Sequence, residues 1–82
     1  MTYNVGFLLR ALKDLERLPA ADRARIVERT EALQGDLSGD VKKLANFTPE
    51  YRLRVGNYRV LFEVEGDKVI VYRVQHRKDV YR

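Results

Sequence analysis

Between Tyr51 and Val74 the chain is rich in β-branched, aromatic and aliphatic residues alternating in part with charged ones, and the pattern breaks at Gly56-Asn57 and at Gly66-Asp67. A two-residue interruption that begins with glycine suits a tight hairpin, because the first central position of a type II′ turn takes a positive φ that glycine adopts without steric cost. The segment is therefore predicted to form a three-stranded antiparallel meander of Tyr51–Val55, Tyr58–Val64 and Lys68–Val74. A meander needs one covered face, and the cover has to come from the first half of the chain.

That half reads as one short strand and two helices. Tyr3 and Val5 alternate with small or polar residues and place a strand over Thr2–Phe7. Leu8, Leu12, Leu15 and Leu18 then recur at helical spacing beside Arg10, Lys13, Asp14 and Arg17, which predicts an amphipathic helix. Pro19 cannot continue that helix but suits the first turn of the next, Ala20–Leu33, whose inner face is expected to hold Ile26, Val27, Thr30 and Leu33. Gly35, Ser38 and Gly39 end the pattern, and residues 36–49, closing on Phe47-Thr48-Pro49, read as a packed connecting loop with at most one short helical turn. The expected fold is α+β in the order β-α-α-β-β-β, with the helices on one sheet face and the first strand along one side.

Composition narrows the function. The 82 residues suit a single domain, 1–82, small enough to gain stability by association. They include no cysteine and one histidine, so disulfides, thiolate zinc sites, cysteine nucleophiles and multi-histidine metal sites are excluded and no cofactor is expected. No apolar run approaches the ~18 residues of a membrane span, and Met1-Thr2-Tyr3-Asn4-Val5 has no secretory-signal pattern, which predicts a cytoplasmic protein without a membrane partner.

Charge is unevenly placed. Residues 1–40 hold six basic and seven acidic side chains, whereas residues 41–82 hold ten basic and five acidic. A basic surface on a folded segment suits a polyanion. Alternation along Tyr51–Val55 puts Tyr51, Leu53 and Val55 on one face and Arg52 and Arg54 on the other. A hairpin at Gly56-Asn57 sets Arg54 opposite Arg59, so three arginines share the outer face. Like charges opposed across strands cost several tenths of a kcal/mol, a cost that a bound phosphate would relieve and that local carboxylates such as Glu50 or Glu63 would also relieve. Lys42 and Lys43 in the loop and Arg82 at the tail are further phosphate-binding candidates, with simple solvation as the alternative for the lysine pair. His76 falls on the face of Arg59 in a regular register, and a bulge would bring Arg77 there instead.

The segment Tyr51–Val64, with Tyr58-Arg59 in its second strand, followed by Val74-Gln75-His76-Arg77-Lys78-Asp79-Val80-Tyr81, resembles the RelE branch of the RelE/ParE toxin superfamily. The resemblance extends over the whole chain, including the Leu18-Pro19 junction. It implies the toxin of a type II toxin–antitoxin system that cleaves messenger RNA in the ribosomal decoding site and is neutralised by a cognate antitoxin. It places the family's strand cations on Arg52 and Arg54, its central arginine on Arg59, its second catalytic arginine on Arg77 and its terminal tyrosine on Tyr81, with His76 as an added candidate.

The implied reaction is attack of a ribose 2′-OH on the adjacent phosphorus, which needs no metal. Arg59, with Arg52 and Arg54, is suited to the phosphorane oxygens, and Arg77 to neutralising or protonating the departing 5′-oxygen. Tyr81 is suited to stacking on a splayed base or to moving the 2′ proton. Some relatives carry lysine where this chain has Arg52 and Arg54, and an arginine is too basic to act as general base, which leaves His76 and Tyr81 for that role. Two alternatives stay open: a ParE-like toxin that blocks gyrase without cutting RNA, and a degenerate domain that only binds its antitoxin.

Overall fold

The computed structural model describes residues 3–35, 37, 41–44 and 49–80. Strand β1 (Asn4–Phe7) leads into helices α1 (Leu9–Glu16) and α2 (Ala20–Glu31) and a 3-10 turn (Ala32–Gln34). Four strands follow: β2 (Val41–Lys43), β3 (Tyr51–Val55), β4 (Tyr58–Glu65) and β5 (Lys68–His76). They form a five-stranded sheet in the order β1-β5-β4-β3-β2, with β1 parallel to β5 and the other neighbours antiparallel. This is the expected α+β fold, and β1 lies along one edge.

Both hairpins close on the predicted residues. Gly56 and Gly66 have φ of 58° and 62°, the left-handed region in which a Cβ is strained. The register that follows sets Val55 opposite Tyr58 and Arg54 opposite Arg59.

One sheet face meets the helices. Leu53, Val55, Val60, Phe62, Val69, Val71 and Val74 pack there with Ala11, Leu15, Ile26 and Leu33. A fully buried side chain of this kind contributes about 1.5–3 kcal/mol relative to an exposed one, which is why the alternation of apolar residues fixes which face turns inward. Tyr51 stacks on Phe62 with ring centroids 5.4 Å apart and seals the β3 side of the core. The inner face of α2 is as predicted: Ile26, Thr30 and Leu33 are buried and Val27 half-buried, and Thr30 satisfies its hydroxyl by donating to the Ile26 carbonyl at 2.7 Å.

Two expectations change. In α1 the core takes Ala11 and Leu15, while Leu8 and Leu12 are 39% and 43% exposed and Leu18 is half-buried. The helix starts directly after β1 and runs against β5, where the small side chain of Ala11 admits close approach. The second change is in the predicted loop, where Val41–Lys43 forms β2 against the open edge of β3, and Leu44 N–H donates to Glu50 O at 2.6 Å. Backbone groups that the edge of β3 would leave unpaired are satisfied this way, and lysines on a short edge strand discourage further pairing. Ser38, Gly39, Phe47 and Thr48 of that predicted loop lie outside the described residues.

A bulge interrupts the β4–β5 ladder. Leu61 faces Arg73 and Phe62 faces Val71, so Tyr72 has no residue opposite it. The bulge shifts every later residue of β5 by one position relative to β4.

Candidate functional site

On the face away from the helices, pairing assembles cations from three strands. Lys42 lies opposite Arg52, and Arg52 opposite Leu61; one row along, Arg54 lies opposite Arg59. Paired side chains stand about 5 Å apart at Cβ, so the four cations form one patch. Lys42 and Arg54 are exposed, whereas Arg52 and Arg59 are half-buried. The Arg59 guanidinium is held at the hairpin, donating from one terminal nitrogen to Gly56 O and Tyr58 O at 2.9 Å each. These two bonds orient the group before any ligand arrives, the condition under which a fixed cation stabilises developing charge best.

Lys43 takes the opposite side from Lys42. Its ammonium lies 5.9 Å from the centre of the Tyr51 ring and 3.8 Å from a Glu50 carboxylate oxygen. The Glu50 backbone N–H donates to the Glu63 carboxylate. Both carboxylates named as local partners for the arginines thus take part in a network beside β3.

The bulge decides which residue of β5 faces Arg59. Gln75 lies opposite Arg59 and His76 opposite Tyr58, so Gln75 shares the Arg59 face and His76 the Tyr58 face. Arg77 is tied to the hairpin through its backbone N–H, which donates to Asn57 O at 2.8 Å. The imidazole of His76 meets the Tyr58 ring edge-on, with centroids 5.6 Å apart, and its Nδ1 accepts the Lys78 N–H at 3.3 Å. The structure therefore gathers Lys42, Arg52, Arg54 and Arg59 on one face, ties the Arg77 backbone to the hairpin that carries Arg59, and holds His76 and Lys43 apart. Tyr81 and Arg82 lie outside the described residues.

A second constellation was not anticipated from the sequence. β1 pairs with β5 only as far as Val71, which exposes the backbone edge of β5 beyond it. Asp14 of α1 covers that edge. One carboxylate oxygen accepts the Val74 N–H at 2.9 Å and Arg73 Nε at 2.8 Å, and the other accepts an Arg73 terminal nitrogen at 3.1 Å. The hydrogen bond to Asp14 raises the pKa of Arg73, with Coulomb attraction adding to it and partial burial opposing it. The available signal was a lone arginine in the valine-rich stretch Val69–Val74, a charge that needs a partner near the core. Beside this clamp, a cleft of about 390 Å³ opens between the end of α1 and the end of β5, with Arg17, Tyr58, Gln75, His76 and Lys78 in its wall.

Among the described residues no cluster of three or more His, Asp or Glu side chains is placed to hold a metal ion, and no helix is long and apolar enough to cross a membrane.

The chain matches, over residues 5–81, the family model described as the ParE toxin of the type II toxin–antitoxin system parDE. It is 44% identical over 83 residues to toxin RelE3 of Methanocaldococcus jannaschii, covering 95% of this chain and 94% of that protein. It is 33% identical over 89 residues to toxin RelG of Mycobacterium tuberculosis, covering 100% of this chain and 99% of that protein. Among solved structures, the RelB–RelE antitoxin–toxin complex of Methanococcus jannaschii superposes with a TM-score of 0.76 at 40% identity, over 92% of this chain and 93% of the matched one. The toxin–antitoxin complex RelBE2 of Mycobacterium tuberculosis gives a TM-score of 0.82 at 29% identity, over 94% and 100% of the two chains.

Proposed function

This chain belongs to the RelE/ParE family of toxins from type II toxin–antitoxin systems, and from that premise we propose that it is a ribosome-dependent endoribonuclease that cuts messenger RNA in the decoding site. The observation that carries the reading is the direct opposition of Arg54 and Arg59, flanked by Arg52 and Lys42, on a face free of helices. An unliganded fold gains nothing from opposing two cations, whereas a phosphodiester passing between them gains charge-assisted hydrogen bonds from both.

In the proposed reaction the 2′-oxygen bonds to the adjacent phosphorus, the bond from phosphorus to the 5′-oxygen breaks, and the 2′ proton leaves to a base while the 5′-oxygen gains one. Arg59, preoriented by Gly56 O and Tyr58 O, stabilises the phosphorane oxygens together with Arg52 and Arg54. Arg77 serves the departing oxygen. Tyr81 orients the scissile nucleotide. His76, on the other face beside Tyr58, serves as base only if the RNA passes over the end of β5.

The relatives solved as complexes with antitoxins support a cognate antitoxin as this chain's partner. Leu8, Leu9 and Leu12, exposed by 39%, 66% and 43%, supply apolar anchors of the kind a partner helix covers. The ParE description of the matching family model favours a second reading, inhibition of gyrase without RNA cleavage.

Primer extension on a defined message held in a programmed ribosome separates the two, with wild type, Arg59→Ala and Tyr81→Ala compared and ribosome-free RNA alongside. The nuclease reading expects cuts within the decoding-site codon that require the ribosome and vanish with Arg59→Ala. Folded wild type that makes no cut, and instead causes gyrase-dependent DNA breaks, establishes the second reading.

A further inference from the structure

We propose that the exposed face of α1, continued by the cleft at the end of β5, is a second binding groove for an RNA phosphate backbone, separate from the arginine face. The proposal rests on the ribonuclease reading for its biological sense, though the groove itself is argued from charge and shape.

Arg10, Lys13 and Arg17 are spaced by three and four residues, which places them on one helical face, and all three are exposed. They line a groove of about 160 Å³ together with Asp14 and Arg73. Asp14 does not neutralise the three, because both of its oxygens are bound by Arg73 and by the Val74 N–H. The clamp thus consumes the one carboxylate in this groove and leaves its exposed cations for another anion. Asp14, Arg17 and Arg73 also line the larger cleft, so the two depressions share a wall, and Lys78 adds a cation to that cleft beside Asp79.

The groove adjoins the candidate site. Gln75 lines the cleft and is also the residue opposite Arg59 in the ladder. A strand lying along α1 therefore reaches the end of β5, where Gln75 lies opposite Arg59. Cations arrayed along an exposed groove that lacks base-reading geometry bind a phosphate backbone irrespective of sequence, and bind it in a salt-dependent way. A toxin that acts on a message inside a larger RNA assembly needs such an anchor away from the reacting phosphate, since the arginine face is occupied by the substrate.

The test uses a fluorescent single-stranded RNA with 2′-O-methyl groups throughout, which cannot be cut, and follows its dissociation constant from low to high KCl. Wild type is compared with Arg10→Gln/Lys13→Gln/Arg17→Gln and with Lys68→Gln, a charge removed at the opposite end of β5, each checked for folding by circular dichroism. Each phosphate contact on a single strand contributes about 0.7 to the slope of log K against log salt, so the triple variant is expected to lose about 2 from that slope and to bind roughly ten-fold or more weakly at low salt. An unchanged slope, or a loss no larger than three times that of Lys68→Gln, reads net charge alone and overturns the groove. Because the probe is uncleavable, the result stands whether or not wild type cuts messages in the ribosome; failure of the nuclease and failure of the groove are separate outcomes.

Discussion

The sheet's outer face and the β5 edge both carry arginine, and they treat it in opposite ways. At the edge, Arg73 meets a carboxylate that takes two of its donors and also accepts a strand N–H. On the outer face, Arg54 meets Arg59 across the hairpin, and Lys42 meets Arg52. The first arrangement sets a cation against an anion; the second sets cation against cation across paired strands. Arginine at the first place stabilises structure, whereas like charges opposed at the second cost stability, the contrast expected if the outer face serves binding as proposed.

The sharpest way to break this contrast is to exchange the consequences of mutation. Arg59→Ala is expected to lower cleavage in the programmed ribosome by about 10²–10³-fold, the effect of removing one preoriented donor from a developing oxyanion. Its melting temperature should stay within a few degrees of wild type, since relief of the Arg54 repulsion offsets loss of the bonds to Gly56 O and Tyr58 O. Unfolding of this variant with proportionate loss of activity would place Arg59 with the structural arginines.

Asp14→Ala should behave in the reverse manner. It leaves the Val74 N–H and the half-buried Arg73 without their acceptor, at a cost of about 2–3 kcal/mol. In a domain of this size that corresponds to a drop of about 8–24 °C in melting temperature, measurable by calorimetry. Asp14→Asn keeps an oxygen for the Val74 N–H and should recover part of the loss. The raised pKa of Arg73 means that its side of the clamp is fully formed below the ordinary arginine range and is lost only as pH rises through and above it. Stability scans between pH 6 and 10 should therefore show no transition from Arg73.

Gly56→Ala tests the hairpin that carries Arg59. A left-handed φ costs roughly 1–2 kcal/mol for a residue with a side chain, and the new Cβ would meet an Arg25 terminal nitrogen at 2.9 Å. Chemical denaturation should show that loss. Because Gly56 O also holds Arg59, cleavage should fall further than stability alone explains.

The smallest effect sharpens the contrast within one dipeptide. Lys42→Ala should reduce the salt dependence of RNA binding by about 0.7, one phosphate contact, while Lys43→Ala, whose side chain meets Tyr51 and Glu50, should leave it unchanged. Equal effects of the two would mean that β2 contributes only bulk charge.

Much of this contrast was legible in the chain itself. The two glycine-led turns, the meander, the inner face of α2 and the pairing of Arg54 with Arg59 depend on residues close in sequence, where period-two alternation and turn chemistry leave one consistent register. Other features joined distant segments and were not legible. Val41–Lys43 became a strand because β3 had an edge to offer, and α1 rotated toward Ala11 because β5 lay against it. Asp14 found Arg73, 59 residues away, only where β1 ran out.

The division follows from range. By itself the sequence determined the α+β order, the hairpins and the cationic outer face, since each follows from local conformational preference and the burial of one strand face. Tertiary structure alone decided that Gln75 rather than His76 lies opposite Arg59, because one bulged residue, Tyr72, shifts the register of β5, and the packing of β4 on β5 sets where the extra residue goes.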